Sequence, residues 1–152
     1  MSRFNSGNAA LDDWLRSRAL ESEGRTSRTY VVCDSGVNVV GYYCLSTGSV
    51  ERTALPARLK RQQGLPHQIP VLILGRLARD VAYKGRGLGG DLLQDAFLRV
   101  LSASRIVGFR ALIVHAIDDN ARSFWSGHEF IECPIGSRTF YMAIETIADA
   151  IG

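Results

Sequence analysis

Between Leu74 and Leu93 the chain reads LGRLARDVAYKGRGLGGDLL, an apolar run that breaks into a glycine-rich turn and then starts a helix. Gly85, Gly87, Gly89 and Gly90 have no side chains, so their backbone can bend sharply and turn its N–H groups toward an anion. The helix that follows brings the positive end of its dipole to the same spot. Lys84 and Arg86 stand inside the turn and can add charge-assisted hydrogen bonds to phosphate oxygens. This spacing suits phosphate binding, but not a nucleoside-triphosphate loop, which needs Gly, four residues and then Gly-Lys-Ser/Thr. A dinucleotide fingerprint fits poorly too, because Gly85, Gly87 and Gly90 follow a polar turn and no acidic ribose ligand comes about twenty residues later. Without a ligand the same residues would be a glycine-rich start to a helix.

The rest of the chain must position this turn. At 152 residues it suits one compact domain, 1–152, with room for a real core. The longest apolar run, Ile69 to Leu74, is broken by Pro70, and Met1 is followed by a polar segment. Neither a membrane span nor a signal peptide is expected, and the default location is cytoplasmic. Cys33, Cys44 and Cys133 are odd in number and far apart, which argues against a disulfide framework and a zinc site and for three buried small residues. No metal is expected. Of the 18 basic residues all but Lys60 and Lys84 are Arg. The planar fork of Arg suits a phosphate-bearing partner such as CoA or RNA, although any single exposed Arg more often only solvates a surface.

Periodicity gives mixed α/β structure. Asn8 to Glu23 places Leu11, Trp14, Leu15 and Ala19 at helical spacing, with Asn8 as cap and Gly24 as stop. Arg28–Cys33 and Val37–Ser49 read as an antiparallel hairpin turning at Asp34-Ser35-Gly36. Ala54 to Arg61 reads as a short helix and Gln62 to Pro70 as a loop. A strand over Val71 to Arg79 feeds the glycine turn. An amphipathic helix over Gly87 to Ile106 follows, ended by Gly108. Ala111 to Ile117 reads as a buried strand and Asp118 to Ser126 as a short helix. Final strands are expected near Phe130 to Cys133 and over Arg138 to Ile147.

The glycine turn resembles motif A of the GNAT superfamily of acyl-CoA-dependent N-acetyltransferases: Arg or Gln, two residues, Gly, one residue, then Gly or Ala. Lys84, Gly87 and Gly89 take the three positions. The order of elements matches the GNAT core as well. Closer still is the resemblance to the toxins of bacterial toxin–antitoxin pairs that acetylate the amino group of aminoacyl-tRNA. It is carried by FNSGNAALDDWL (Phe4 to Leu15), SRTYVVCD (Ser27 to Asp34), VVGYYCLSTGSVER (Val39 to Arg52), VLILGRLARD (Val71 to Asp80) and ALIVHAIDDNARSFW (Ala111 to Trp125). The resemblance implies an α/β (α+β) GNAT fold, a mixed and mostly antiparallel sheet flanked by helices. Relatives carry a first strand ahead of the segment that begins here at Phe4, so that strand is expected to be missing or shortened.

The resemblance also assigns roles. Leu77, Ala78 and Arg79 would pair the pantetheine arm through strand backbone. Lys84, Gly85, Arg86, Gly87, Leu88, Gly89 and Gly90 would hold the CoA pyrophosphate, and Asn120 and Phe124 would add CoA contacts. Arg79 stands where the family usually has an apolar residue. Chemistry in the family is attack of a neutral amine on the thioester, with strand N–H groups meeting the charge on the carbonyl oxygen and a Tyr hydroxyl protonating the leaving thiolate. Here Trp125 falls on that Tyr and Glu129 on the Gly that closes the helix. An indole N–H can donate a hydrogen bond but is no acid near neutral pH; Tyr141 and His128 are possible stand-ins. Arg25 and Arg76 are candidates for holding the tRNA acceptor end. The implied donor is acetyl-CoA. The implied partners are aminoacyl-tRNA, a ribbon-helix-helix antitoxin and a second copy of the chain. Two alternatives stay open: a degenerate GNAT domain that binds CoA or a partner without catalysis, and an N-acetyltransferase for small amines or protein N-termini.

Overall fold

Asn8 starts the first helix as its sequence dictates, its side-chain oxygen accepting a hydrogen bond from the Leu11 N–H at 3.1 Å. The computed structural model describes residues 4–35, 38–55, 64–133 and 138–151. They form two compact units, Met1–Ser46 with Leu74–Leu98, and Thr47–Ile73 with Arg99–Gly152.

In the first unit α1 (Ala9–Ser17) is followed by a one-turn α2 (Ala19–Ser22). The single helix expected to Glu23 is thus interrupted at Arg18, where φ is −123°. Periodicity could not show the break, because Ala19 still joins Trp14 and Leu15 in the core. Gly24, at φ +73°, ends the segment. β1 (Arg28–Cys33) and β2 (Val39–Glu51) form the expected antiparallel hairpin, with Tyr30 opposite Tyr43 and a register shift at Cys33. Gly36 and Val37 lie outside the described residues. One face of β2 packs Tyr42 and Cys44 with Phe4, Trp14, Leu15, Ala19, Val39 and Ala78. On the other face a Cβ at Gly41 would lie 3.0 Å from Leu92 Cδ1 and 3.3 Å from the Ala78 carbonyl oxygen. The missing side chain is what lets α3 (Leu88–Ser104) rest against β2. The Tyr43 hydroxyl, on that same face, donates to the Asp95 carboxylate of α3. Cys33 is exposed, contrary to the expectation of three buried thiols: it ends β1, where the pairing with β2 shifts register.

In the second unit a 3-10 turn covers Arg52–Ala54; the helix expected over Ala54 to Arg61 falls mostly on residues 56–63, which lie outside the described residues. β3 runs Gln68–Arg79, so the expected loop ends before Pro70. Pro70 is exposed in the strand and lacks only a donor, while its carbonyl still accepts from the Arg110 N–H at 2.9 Å. β4 (Ala111–His115), β5 (Ile131–Glu132) and β6 (Thr139–Ala143) follow, with α4 (Asp119–Gly127) after β4. Leu55, Ile69, Val71, Ala111, Ile113, Cys133, Tyr141 and Ala143 form this unit's core. The last expected strand stops at Ala143, and α5 (Ile144–Ile151) replaces its end. Ile144, Ile147 and Ile151 recur at three and four residues, the helical period, and Ile147 is fully buried.

The strands lie in the order β1-β2-β3-β4-β6-β5, with β6 antiparallel to both β4 and β5. β3 reaches its neighbour β4 through α3, the crossover that a parallel pair requires. Such a mixed sheet with flanking helices is the GNAT arrangement. Phe4–Asn8 forms no strand, and among the described residues β1 stands at one edge of the sheet. No helix among the described residues is long and apolar enough to cross a membrane.

Candidate functional site

Asp80 ends β3 and organises the approach to the glycine turn. Its carboxylate accepts from the Ala82 N–H at 2.9 Å and the Asn5 N–H at 3.1 Å. The Asp80 N–H donates to the Val40 carbonyl and the Val81 N–H to the Asn5 carbonyl, both at 2.8 Å. The segment at Asn5, with Phe4 buried behind it, is therefore laced to the 3-10 turn Val81–Tyr83. Sequence reading assigned Asp80 no role; an Asp followed two residues later by a free N–H at a strand end was the available signal.

Beyond it, the N–H groups of Lys84 and Arg86 bond back to Val81 and Tyr83, which tightens the turn. Gly85 and Gly87 have φ of +79° and +78°, the left-handed region in which a side chain is strained. A Cβ at either would meet no protein atom within 4 Å, so the space beside both glycines is open. The Asp91 N–H makes the first helical bond, to the Gly87 carbonyl. The N–H groups of Leu88, Gly89 and Gly90 lie ahead of it and have no acceptor within α3. Lys84 and Arg86 are exposed, with the Arg86 guanidinium 5.1 Å from the Tyr83 ring centroid. Open backbone donors, a seventeen-residue helix dipole and two cations together fit a pyrophosphate.

Upstream, Ala78 is buried and Leu77 and Arg79 are half-buried on β3. Just before them Arg76 has a φ of +57°, which interrupts the extended strand much as a bulge would. Its guanidinium lies 4.4 Å from the Trp14 ring centroid, and Trp14 stacks in turn on Tyr42. Burial first, then the neighbouring Cys44 and Asp12, hold the Tyr42 hydroxyl protonated well above the ordinary tyrosine range, with only the Arg76 charge pulling the other way. It therefore stays a donor, bonded to the Leu11 carbonyl at 2.6 Å. Arg25 is exposed in the turn after α2.

The remaining candidates belong to the second unit. Asp118 caps α4, accepting from the Ala121 N–H at 2.8 Å. Asn120 is exposed and Phe124 half-buried. Trp125 is 6% exposed, edge-on to Phe124 at 4.9 Å and to Phe130 at 5.0 Å. Its indole is a packing element here. His128 is exposed at the end of α4 with its ring 4.5 Å from Phe124. Glu129 adopts φ +71°, the backbone of the Gly it replaces, and the Phe130 N–H still closes the helix on the Trp125 carbonyl. Tyr141 is 1% exposed and its hydroxyl has no hydrogen-bond partner among the described residues. His128 and Tyr141 are thus opposite cases, one on the surface and one sealed in the core. Among the described residues no cluster of His, Cys, Asp and Glu could hold a metal ion.

No protein-family model matches the chain. Among curated proteins it is 44% identical, over 128 residues, to the tRNA-acetylating toxin of Mycobacterium tuberculosis, covering 84% of this chain and 75% of that protein. Among solved structures, a tyrosine-to-phenylalanine variant of KacT superposes with a TM-score of 0.92 at 27% identity, covering 98% of this chain and 90% of the other. AtaT complexed with acetyl-methionyl-tRNAfMet gives 0.91 at 30% identity, covering 99% and 91%. Other similar structures are AtaTR bound with AcCoA and an AtaT variant bound to the C-terminus of the antitoxin AtaR.

Proposed function

Because this chain belongs to the tRNA-acetylating toxins of the GNAT superfamily, we propose that it transfers acetyl from acetyl-CoA to the amino group of aminoacyl-tRNA and thereby blocks translation. The observation that carries the reading is the open glycine turn at the start of α3, whose left-handed glycines leave space for a ligand. The two units act as one catalytic domain. Bound acetyl-CoA supplies the acetyl group as a thioester. Gly85 to Gly90 hold its pyrophosphate through backbone N–H groups, and Lys84 and Arg86 add charge. Leu77, Ala78 and Arg79 pair the pantetheine arm as a further strand would. A β3 N–H donor at the carbonyl oxygen stabilises the charge that develops there, a contribution on the order of 3 kcal/mol. By family position Asn120 and Phe124 belong to the CoA site as well. Arg25 and Arg76 hold the acceptor end of the tRNA.

AtaT has been solved with acetyl-methionyl-tRNAfMet and with AtaR, which supports charged tRNA as acceptor and an antitoxin as partner for this chain. We assign it further a ribbon-helix-helix antitoxin, a homodimeric state and a cytoplasmic site of action. The decisive test is transfer from labelled acetyl-CoA to total aminoacyl-tRNA, with free amines and peptides as competing acceptors. Label in the charged tRNA fraction is expected. Label only in amines or peptides refutes the acceptor assignment. A second reading, a GNAT domain that binds acetyl-CoA without catalysis, is favoured by the buried Trp125 at the position of the family acid. CoA binding with no label in any acceptor would establish it.

A further inference from the structure

Arg76 carries a backbone conformation suited to glycine. Its φ of +57° lies in the middle of β3 although Gly75 stands beside it. Strain kept at a non-glycine residue points to a task for its side chain. That side chain leaves the strand and lies over Trp14, 4.4 Å from the ring centroid. Trp14 is parallel to Tyr42, with 6.0 Å between centroids and 6° between planes, and Phe4 meets Tyr42 edge-on at 5.7 Å. Tyr42 is fully buried and tied by its hydroxyl to the Leu11 carbonyl, so the base of the stack cannot shift. The guanidinium at its top is exposed, and among the described residues no carboxylate forms an ion pair with it. The stack thus ends in an exposed, planar cation, one residue before the Leu77–Arg79 stretch.

We infer that the Arg76 guanidinium, held on the Trp14–Tyr42 stack, is the platform on which the terminal nucleobase of the charged tRNA rests while its amino group meets the thioester. This rests on the acceptor assigned above and turns Arg76 from a holder of its end into the group that selects for it. A guanidinium plane stacks on any nucleobase, because every base has a π face. A small amine or a peptide N-terminus has no such plane to offer. The strained backbone serves this role by sending the side chain across to Trp14 rather than along the normal alternation of the strand.

The experiment compares wild type, Arg76→Gly and Arg76→Lys in acetyl transfer to aminoacyl-tRNA, with acetyl-CoA affinity measured separately by calorimetry. Glycine accepts the left-handed backbone better than arginine, so Arg76→Gly is expected to melt no lower than wild type, and a loss of function in it cannot be laid to misfolding. Both variants should raise the KM for aminoacyl-tRNA at least tenfold, while the Kd for acetyl-CoA stays within twofold. Wild-type KM in Arg76→Gly overturns the inference. Wild-type KM in Arg76→Lys also overturns it, since a point charge would then suffice where a plane was required. Absence of transfer to charged tRNA by the wild-type chain would instead defeat the proposed reaction, through another acceptor or through lack of catalysis, and this inference with it.

Discussion

Placing an Asp at Gly87 should abolish tight acetyl-CoA binding without unfolding the protein. Gly87 has φ +78°, and an L residue held there costs roughly 1–2 kcal/mol in backbone strain. Its Cβ would meet no protein atom within 4 Å, so the free protein suffers no clash. Only a ligand in the turn can collide with it. For Gly87→Ala the loss of affinity should be at least tenfold, about 1.4 kcal/mol. Gly87→Asp adds a negative charge beside the pyrophosphate. At about 4 Å the repulsion is about 1 kcal/mol with the dielectric of water and about 4 kcal/mol at an effective dielectric near 20. The further loss is therefore between about fivefold and about a thousandfold. Calorimetric titration with acetyl-CoA reads both variants, and thermal melting without ligand should fall by about 2–8 °C, the backbone strain at about 2–4 °C per kcal/mol. Gly108→Ala is the control, because its Cβ also points into open space but its backbone is not left-handed. Wild-type affinity in a folded Gly87→Asp protein would refute the placement of the pyrophosphate.

Trp125→Tyr should raise kcat for aminoacyl-tRNA at least tenfold, because a general acid contributes about 10²–10⁴-fold where it is used; an unchanged rate would mean that this position plays no part in proton transfer. Glu129→Gly should stabilise the protein by about 1 kcal/mol by relieving the φ of +71°, and a urea midpoint that does not rise would count against the left-handed cap. Burial alone would raise the Glu145 carboxyl, but hydrogen bonds from Arg110 and its own backbone, with the Arg110 charge, outweigh it and hold the group below its ordinary value. A depressed folded value means stability that is present above the unfolded value and lost as pH falls through the folded one. Glu145→Gln should therefore be less stable than wild type above about pH 5. The gap should stay under about 1 kcal/mol, because Glu145 is 64% exposed, and close in acid; a gap that persists at low pH would contradict the ion-pair origin.

What the sequence disclosed and what it hid divide along a physical line. Gly85 and Gly87 were legible because glycine marks backbone that other residues avoid, and both proved left-handed. Asn8 and Asp118 were legible as helix starts because a short polar side chain before an apolar period has few other uses; Asn8 caps as expected, and Asp118, expected as the first residue of its helix, is that helix's cap. Arg76, Glu129 and Arg138 are left-handed too, yet none carries that signal in its residue type. Glu129 could be suspected only by setting it against the family's Gly. The first turn of α5, Ile144 to Ile147, was read as the end of a strand because Ile and Thr favour strands locally, while its order comes from non-local bonds, the Ile144 N–H on the Arg110 carbonyl and Glu145 on Arg110. Asp80 escaped for the same reason. One of its partners, Asn5, is 75 residues away, and no local pattern records a bond that only the fold creates. The turn's glycines are thus local and readable. The residues that hold the turn in place and give its neighbour Arg76 a direction act through tertiary contacts, so the acetyl donor was easier to infer from this chain than the means by which it recognises its acceptor.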